Sequence, residues 1–165
     1  MKIISSGIKD GYIEEKYGKY GDQNLKGMPS KSLPLQWETI PEGTKSYALV
    51  MEDFDAIPVT GFSWIHWVTI IPKEYLELKE NASLDDKNLI QGVNSWISSM
   101  GGLDQGDASH FGGPAPPDKT HTYTIKLYAL DVELSLKSGF YLNELYKNID
   151  GHILDMAKLE GKYNN

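Results

Sequence analysis

The chain contains no cysteine and no arginine, and nowhere a run of apolar residues long enough to span a bilayer. Without thiols there is no disulfide, no thiolate chemistry and no cysteine-based zinc site. That absence fits a reducing compartment, and a cytoplasmic location is expected. All sixteen basic residues are lysines, so a bidentate guanidinium clamp on phosphate or carboxylate is excluded. Any anion site must use histidine, lysine, hydroxyls or backbone N–H groups. The opening "MKIISSGIKDGYIEE" is too short in its apolar part for a signal peptide or a membrane span. A soluble, non-membrane-embedded protein starting at Met1 is therefore expected. Positive charge is also scarce. A net charge of −7 argues against nucleic acid or an anionic membrane as partner for the whole surface, while leaving room for a local positive pocket.

What is present is the composition of an ordinary globular protein, and 165 residues suit a single domain, 1–165, with a real core. The first thirty residues read as loops with a short strand. "LPLQWETIPEGTKSYALVMED" reads as strand, turn and strand, with "PEGT" as the turn. "FSWIHWVTIIP" reads as a central strand, with Trp64, His66, Val68 and Ile70 on one face and Ile65, Trp67, Thr69 and Ile71 on the other. In "HTYTIKLYALDVEL", His121, Tyr123, Ile125, Leu127 and Ala129 share a face. A long polar segment, about residues 73–120, separates these strands and suggests function or short elements. Near the C-terminus, Leu142, Leu145, Tyr146 and Ile149, then Ile153, Met156 and Ala157 after Gly151, follow helical spacing. Strands first and helices last predict an all-β or α+β domain with short terminal helices packed on a sheet.

Residues capable of chemistry gather at the predicted strand ends. His66 and His121 lie near the starts of the two strongest strands, and Asp53 and Asp55 at the end of a third. Between them lies "HFGGPAPPDKTHTY", residues 110–123, stiff with proline. Side by side, these ends would bring two imidazoles and two carboxylates together. A carboxylate beside an imidazole favours the imidazolium. That cation, with backbone N–H groups around Gly112 and Gly113, could meet an anion. Prolines would fix the loop without offering donors, and Trp64, Phe111 and Tyr123 would form an apolar wall. The set suits a small phosphate-like anion, or a zwitterion whose ammonium meets a free carboxylate. Taken singly, each feature has a plainer reading: a strand histidine is usually a hydrogen-bonded core residue, and Asp and Gly/Pro runs usually form turns. His110 and His152 carry no functional assignment.

The stretches "SYALVMEDFDAIPVTGFSWIHWVTIIP" and "HFGGPAPPDKTHTYTIKLYALD" resemble the two signature regions of the phosphatidylethanolamine-binding protein family. The likeness is closest to its bacterial Raf-kinase-inhibitor-like branch. "LPLQWETIPEGTKSYAL" and "HILDMAKLEGKY" are similar to that branch as well. The resemblance implies a mainly β fold, an antiparallel β-sandwich of Greek-key type with short C-terminal helices. It also implies an anion pocket at Asp53, Asp55, Trp64, His66, Gly113, Pro114, His121 and Tyr123. Phe54 stands where the family usually has proline, Ile57 lengthens the turn before Pro58, and Phe111 replaces a usual tyrosine, removing a hydroxyl from the rim. Lys119 replaces a usual glycine and Thr122 the usual arginine after His121.

Three functions follow. The first is a binding module for a small anion or phosphorylated headgroup, and it is the primary expectation. The second is regulation, with a protein partner, such as a kinase in the family, docking on the pocket rim. The third is a His/Asp-dependent hydrolase. It is disfavoured because no nucleophile motif accompanies the pair: "GFSW" around Ser63 lacks the final glycine of a nucleophile elbow. No catalytic residue, cofactor or metal ligand is assigned. A homodimer is implied by the resemblance alone.

Overall fold

Every residue of Ser46–Asp53 is buried, so both faces of that strand must be covered. The computed structural model, which describes residues 1–165, is arranged around it. The strands are β1 (Lys2–Ile4), β2 (Ile8–Lys9), β3 (Tyr12–Ile13), β4 (Asn24–Leu25), β5 (Met28–Pro29), β6 (Leu35–Glu38), β7 (Ser46–Asp53), β8 (Trp64–Pro72), β9 (Glu77–Leu78), β10 (Ile90–Gly92), β11 (His121–Leu130) and β12 (Ile153–Tyr163). The α-helices are α1 (Ile57–Thr60), α2 (Ala82–Asp85) and α3 (Leu142–Ile149).

A seven-stranded sheet runs β10-β8-β7-β11-β12-β3-β2, and a three-stranded sheet runs β1-β6-β9. Pairing is antiparallel except between β12 and β3, and the chain crosses over so that β11 lies against β7 on the side away from β8. Odd-numbered residues of β7 and β11 (Tyr47, Leu49, Met51, Tyr123, Ile125, Leu127 and Ala129) form the core with Ile3, Leu35, Trp37 and Leu78 of the smaller sheet. This is the sandwich arrangement, with two inner faces supplying one core. The opposite face of the large sheet carries Ala48, Val50, Val68, Ile70, Tyr128 and Leu130, and is covered by Phe140 and by Leu145 and Ile149 of α3.

One sequence expectation changes. Ile153–Tyr163 is a strand, not a second C-terminal helix. Gly151, at φ 77°, ends α3 in the left-handed region that favours glycine. Beyond it, pairing along the whole of β11 outweighs a helical spacing carried by only three residues. In β12, Ala157, Gly161 and Tyr163 turn inward while Met156, Lys158, Glu160 and Lys162 are exposed. The polar segment 73–120 carries short elements, one of the two readings open for it: β9, α2, β10 and a 3₁₀ turn at Ser95–Ile97.

Leu145 is fully buried and is the side chain that seats α3 on the sheet. Leu145→Ala should lower stability by about 2–5 kcal/mol, read from the shift in urea midpoint. A change below about 0.5 kcal/mol, the range of surface substitutions, would show that α3 is not anchored this way.

Candidate functional site

The β7–β11 register sets Tyr123 opposite Asp53, and the β7–β8 register sets Trp64 opposite the same aspartate. Between them β8 carries one extra residue. Met51 pairs with Trp67 but Glu52 pairs with Ile65, so His66 is the unpaired residue of a β-bulge. The bulge breaks the alternation expected for "FSWIHWVTIIP". Ile65 joins Val68 and Ile70 on the α3 side, while Trp64 and His66 turn toward Tyr123. The His66 and Tyr123 rings meet edge to face at 4.9 Å.

These strand ends surround a cavity of about 210 Å³. Asp53, Trp64, His66, His121 and Tyr123 line it, so five of the eight expected residues converge. The other three lie just behind. Asp55 accepts from the N–H of Thr122 (2.8 Å), fixing the start of β11. Gly113 and Pro114 are buried in the loop. The Pro114 carbonyl accepts from Lys19 N–H (2.8 Å).

The two histidines hold opposite charge states. His121 donates from Nδ1 to Asp53 Oδ2 (2.7 Å) and from Nε2 to Asp118 Oδ1 (2.8 Å). Carboxylates only accept, so both ring nitrogens carry hydrogen and the ring is an imidazolium. Burial works against that charge, but the two carboxylates outweigh it and raise the pKa. The same bond holds the Asp118 carboxyl below its ordinary value. His66 instead donates from Nδ1 to the carbonyl of Gly112 (2.6 Å), which places its one hydrogen there. Burial lowers its pKa, so His66 is neutral with a bare Nε2 that makes no hydrogen bond. The Tyr123 hydroxyl is also buried without a partner. Burial, then the nearby Asp53, push its pKa far up, so it remains a phenol.

The loop differs from expectation in what its glycines do. Gly112 N–H donates to the His66 carbonyl (2.8 Å) and Gly113 N–H to Pro29 O (2.7 Å), so neither amide is free for an anion. Their hydrogen side chains are required by packing. A Cβ on Gly113 would lie 2.2 Å from Tyr17 O, and one on Gly112 2.8 Å from Trp96 Cδ1. Ala115 of the same loop does line the cavity. Phe111 is no part of the wall or rim. It is fully buried against Trp67, ring centroids 5.6 Å apart. Sequence reasoning also passed over Trp96, Met100, Ala56, Val59 and Thr60, which line the cavity, and Asp118. Only Asp118 had a local signal, a carboxylate three residues before His121 inside the stiff loop.

The assignments fix a pH response. His121, with its pKa raised above the ordinary 6.5, contributes stability fully below that value and loses it as pH climbs through the folded-state pKa. His66, with its pKa lowered, leaves stability intact above 6.5 and removes it as pH falls toward the folded-state value. Long-range ¹H–¹⁵N spectra at pH 7 should show His121 protonated on both nitrogens and His66 on Nδ1 alone. A neutral His121 at that pH would contradict the double carboxylate contact.

Residues 4–164 match the family described as "Phosphatidylethanolamine-binding protein". The chain is 48% identical over 154 residues to the uncharacterized protein YxkA of Bacillus subtilis, covering 90% of this chain and 92% of that one. It is 36% identical over 133 residues to a UPF0098 protein of Methanothermobacter thermautotrophicus, covering 80% and 82%. Among solved structures, the phosphatidylethanolamine-binding protein homolog CT736 of Chlamydia trachomatis superposes with a TM-score of 0.80 at 30% identity, over 99% of this chain and 97% of its own. Escherichia coli YbcL, described as a new member of the mammalian family, gives 0.79 at 25% identity over 99% and 98%. Family match, fold and relatives agree, and the chain belongs to the phosphatidylethanolamine-binding protein family.

Proposed function

We propose that this protein is a binding module whose cavity takes the phosphate-like group of a small molecule or phosphorylated headgroup, with no covalent chemistry. The observation that carries the reading is the pair of buried atoms without partners, His66 Nε2 and Tyr123 Oη, on residues that line the same cavity. Each unmade hydrogen bond of this kind costs about 1–3 kcal/mol, which an incoming ligand would relieve. A phosphate oxygen can accept from Tyr123 O–H. His66 Nε2, an acceptor while neutral, needs a hydrogen from a P–OH group or a proton taken up with the ligand. A cavity of about 210 Å³ holds the volume of about seven waters, room for a headgroup but not for acyl chains. The Ser63 hydroxyl is buried with no base bonded to it, so it offers hydrolysis no activated serine nucleophile.

Binding should therefore draw a proton and weaken as pH rises. Titration with inorganic phosphate and with phosphoethanolamine should move the ring ¹⁵N signals of His66, and calorimetry in buffers of different ionisation enthalpy should register proton uptake. His66→Leu should abolish the response. No movement of the His66 signals at millimolar concentrations of either compound would refute the reading.

The exposed side chains Phe54, Ile57, Val59, Phe62 and Met100 support a second reading, in which a protein partner docks over the mouth. Val59 and Met100 line the cavity itself, and Phe62 stacks on Trp64 at 5.8 Å between centroids. The double variant Phe62→Asp, Met100→Asp should then lose partners captured from lysate yet keep its phosphate response. Unchanged capture would argue against the rim.

A further inference from the structure

A second cavity, of about 530 Å³, opens where α2, β10, residues 105–110 and the turn at Ser138 and Gly139 meet. It shares no lining residue with the cavity at the strand ends. Its volume falls within the range of about 300–1,000 Å³ usual for small-molecule sites. Leu89 is its one hydrophobic lining residue, so neither a lipid chain nor an aromatic ring finds a wall to pack against.

The floor of this cavity is a closed set of hydrogen bonds among buried groups. Gln91 and Ser83 are both buried. Trp67 Nε1–H can only donate, and it donates to Gln91 Oε1 (2.8 Å), which fixes the orientation of the amide. Ser83 Oγ gives its hydrogen to the same oxygen (2.7 Å) and accepts from Phe111 N–H (2.8 Å). Of the two Gln91 Nε2 hydrogens, one goes to the Ser83 carbonyl (2.7 Å) and the other faces His110 Nδ1 (3.4 Å). Nδ1 also stands 3.3 Å from the Ser83 carbonyl, but a hydrogen there would confront the second N–H of the amide. Nδ1 is therefore the acceptor, and the ring presents its hydrogen on Nε2.

The lining groups with bonding capacity left are of both kinds. His110 Nε2–H has no protein acceptor. Ser138 Oγ accepts from Gln91 N–H (3.3 Å) and keeps its own hydrogen to give. Gln105 spends Nε2 on the Gly139 carbonyl (2.8 Å) and keeps Oε1. Asp86 accepts from Asn88 N–H with Oδ1 (2.9 Å) and keeps Oδ2. Lys87, next in the chain and also in the lining, offsets the charge of Asp86. An anion would face that carboxylate and a cation that ammonium. Hydroxyl groups, which both donate and accept, match the whole set without a charge of their own.

We propose that this cavity is a second binding site, for an uncharged, polyhydroxylated small molecule of sugar size. His110 Nε2–H and Ser138 O–H donate to it, and Gln105 Oε1 and Asp86 Oδ2 accept from it. The proposal is independent of what the strand-end cavity holds.

D-Glucose and myo-inositol are suitable probes, with inorganic phosphate and cyclohexanol as the charged and the apolar control. In an NMR titration of the full chain, at least one polyol should give saturable shifts of the His110 ring ¹⁵N signals. The indole N–H of Trp67 should move with them, because that side chain is fully buried and senses the cavity through Gln91. His110→Ala and Gln105→Ala should each weaken polyol binding about three- to tenfold, the weight of one hydrogen bond. Gln105 is exposed, so its variant probes the site without touching the buried floor. Phosphate and cyclohexanol should leave both signals in place. Absence of a saturable shift at His110 and Trp67 with either polyol overturns the proposal, and so does unchanged affinity in Gln105→Ala. A response to phosphate or cyclohexanol as large as that to the polyols overturns the assigned ligand class.

Discussion

The antiparallel ladder between β7 and β11, from Tyr123–Asp53 to Leu130–Ser46, is the constraint on which the other features depend. It lies at the middle of the seven-stranded sheet, and side chains on its two sides build the two hydrophobic clusters. Its register also decides the chemistry. Because Asp53 closes one end of the ladder and His121 lies two residues beyond its partner Tyr123, carboxylate and imidazole meet at 2.7 Å. Backbone pairing thus performs the orienting work that a flexible loop would perform poorly.

The site built on that ladder is electrostatically divided. One histidine is held charged by two carboxylates; the other is held neutral by burial and a carbonyl. Environments that push two like groups apart in this way produce distinct roles from the same side chain. His121 is the fixed cation of an internal ion network, with no nitrogen left for a ligand or a metal. His66, buried and bonded through Nδ1 to the carbonyl of Gly112, retains the free nitrogen. The family resemblance brings both histidines to the pocket but does not distinguish them. Their hydrogen-bond partners do.

Much of this was legible from residues alone, and the exceptions have physical causes. The alternation of Tyr123, Ile125, Leu127 and Ala129 is unbroken, so the inward face of β11 could be read directly. The corresponding reading of β8 failed beyond Ile65, because a bulge leaves no mark on composition and is defined only by what the neighbouring strand does. The C-terminal segment misled for a related reason: Ile153, Met156 and Ala157 fit a helix locally, but a partner strand offered a longer ladder. Gly112 and Gly113 were read for the amides they expose, whereas the structure uses them for the space they leave to Tyr17 O and Trp96. Trp96 and Met100 come from the segment with the least periodicity, and only the folded chain brings them to the cavity.

The bulge at His66 ties the site to the length of β8, separately from its composition. The C-terminal part of the strand must keep Trp67 toward the sandwich core and Val68 toward α3, while its first residues must keep Trp64 opposite Asp53. With strict alternation these two demands conflict, and a single unpaired residue reconciles them. Substitutions along β8 disturb one contact each. Deletion of His66, the one residue between Ile65 and Trp67, would instead remove the bulge: Ile65 and Trp64 would keep their partners Glu52 and Asp53 in an unbroken ladder, and the cavity would lose its neutral imidazole. In such a chain, insertions and deletions, rather than substitutions, separate the fold from the site it carries.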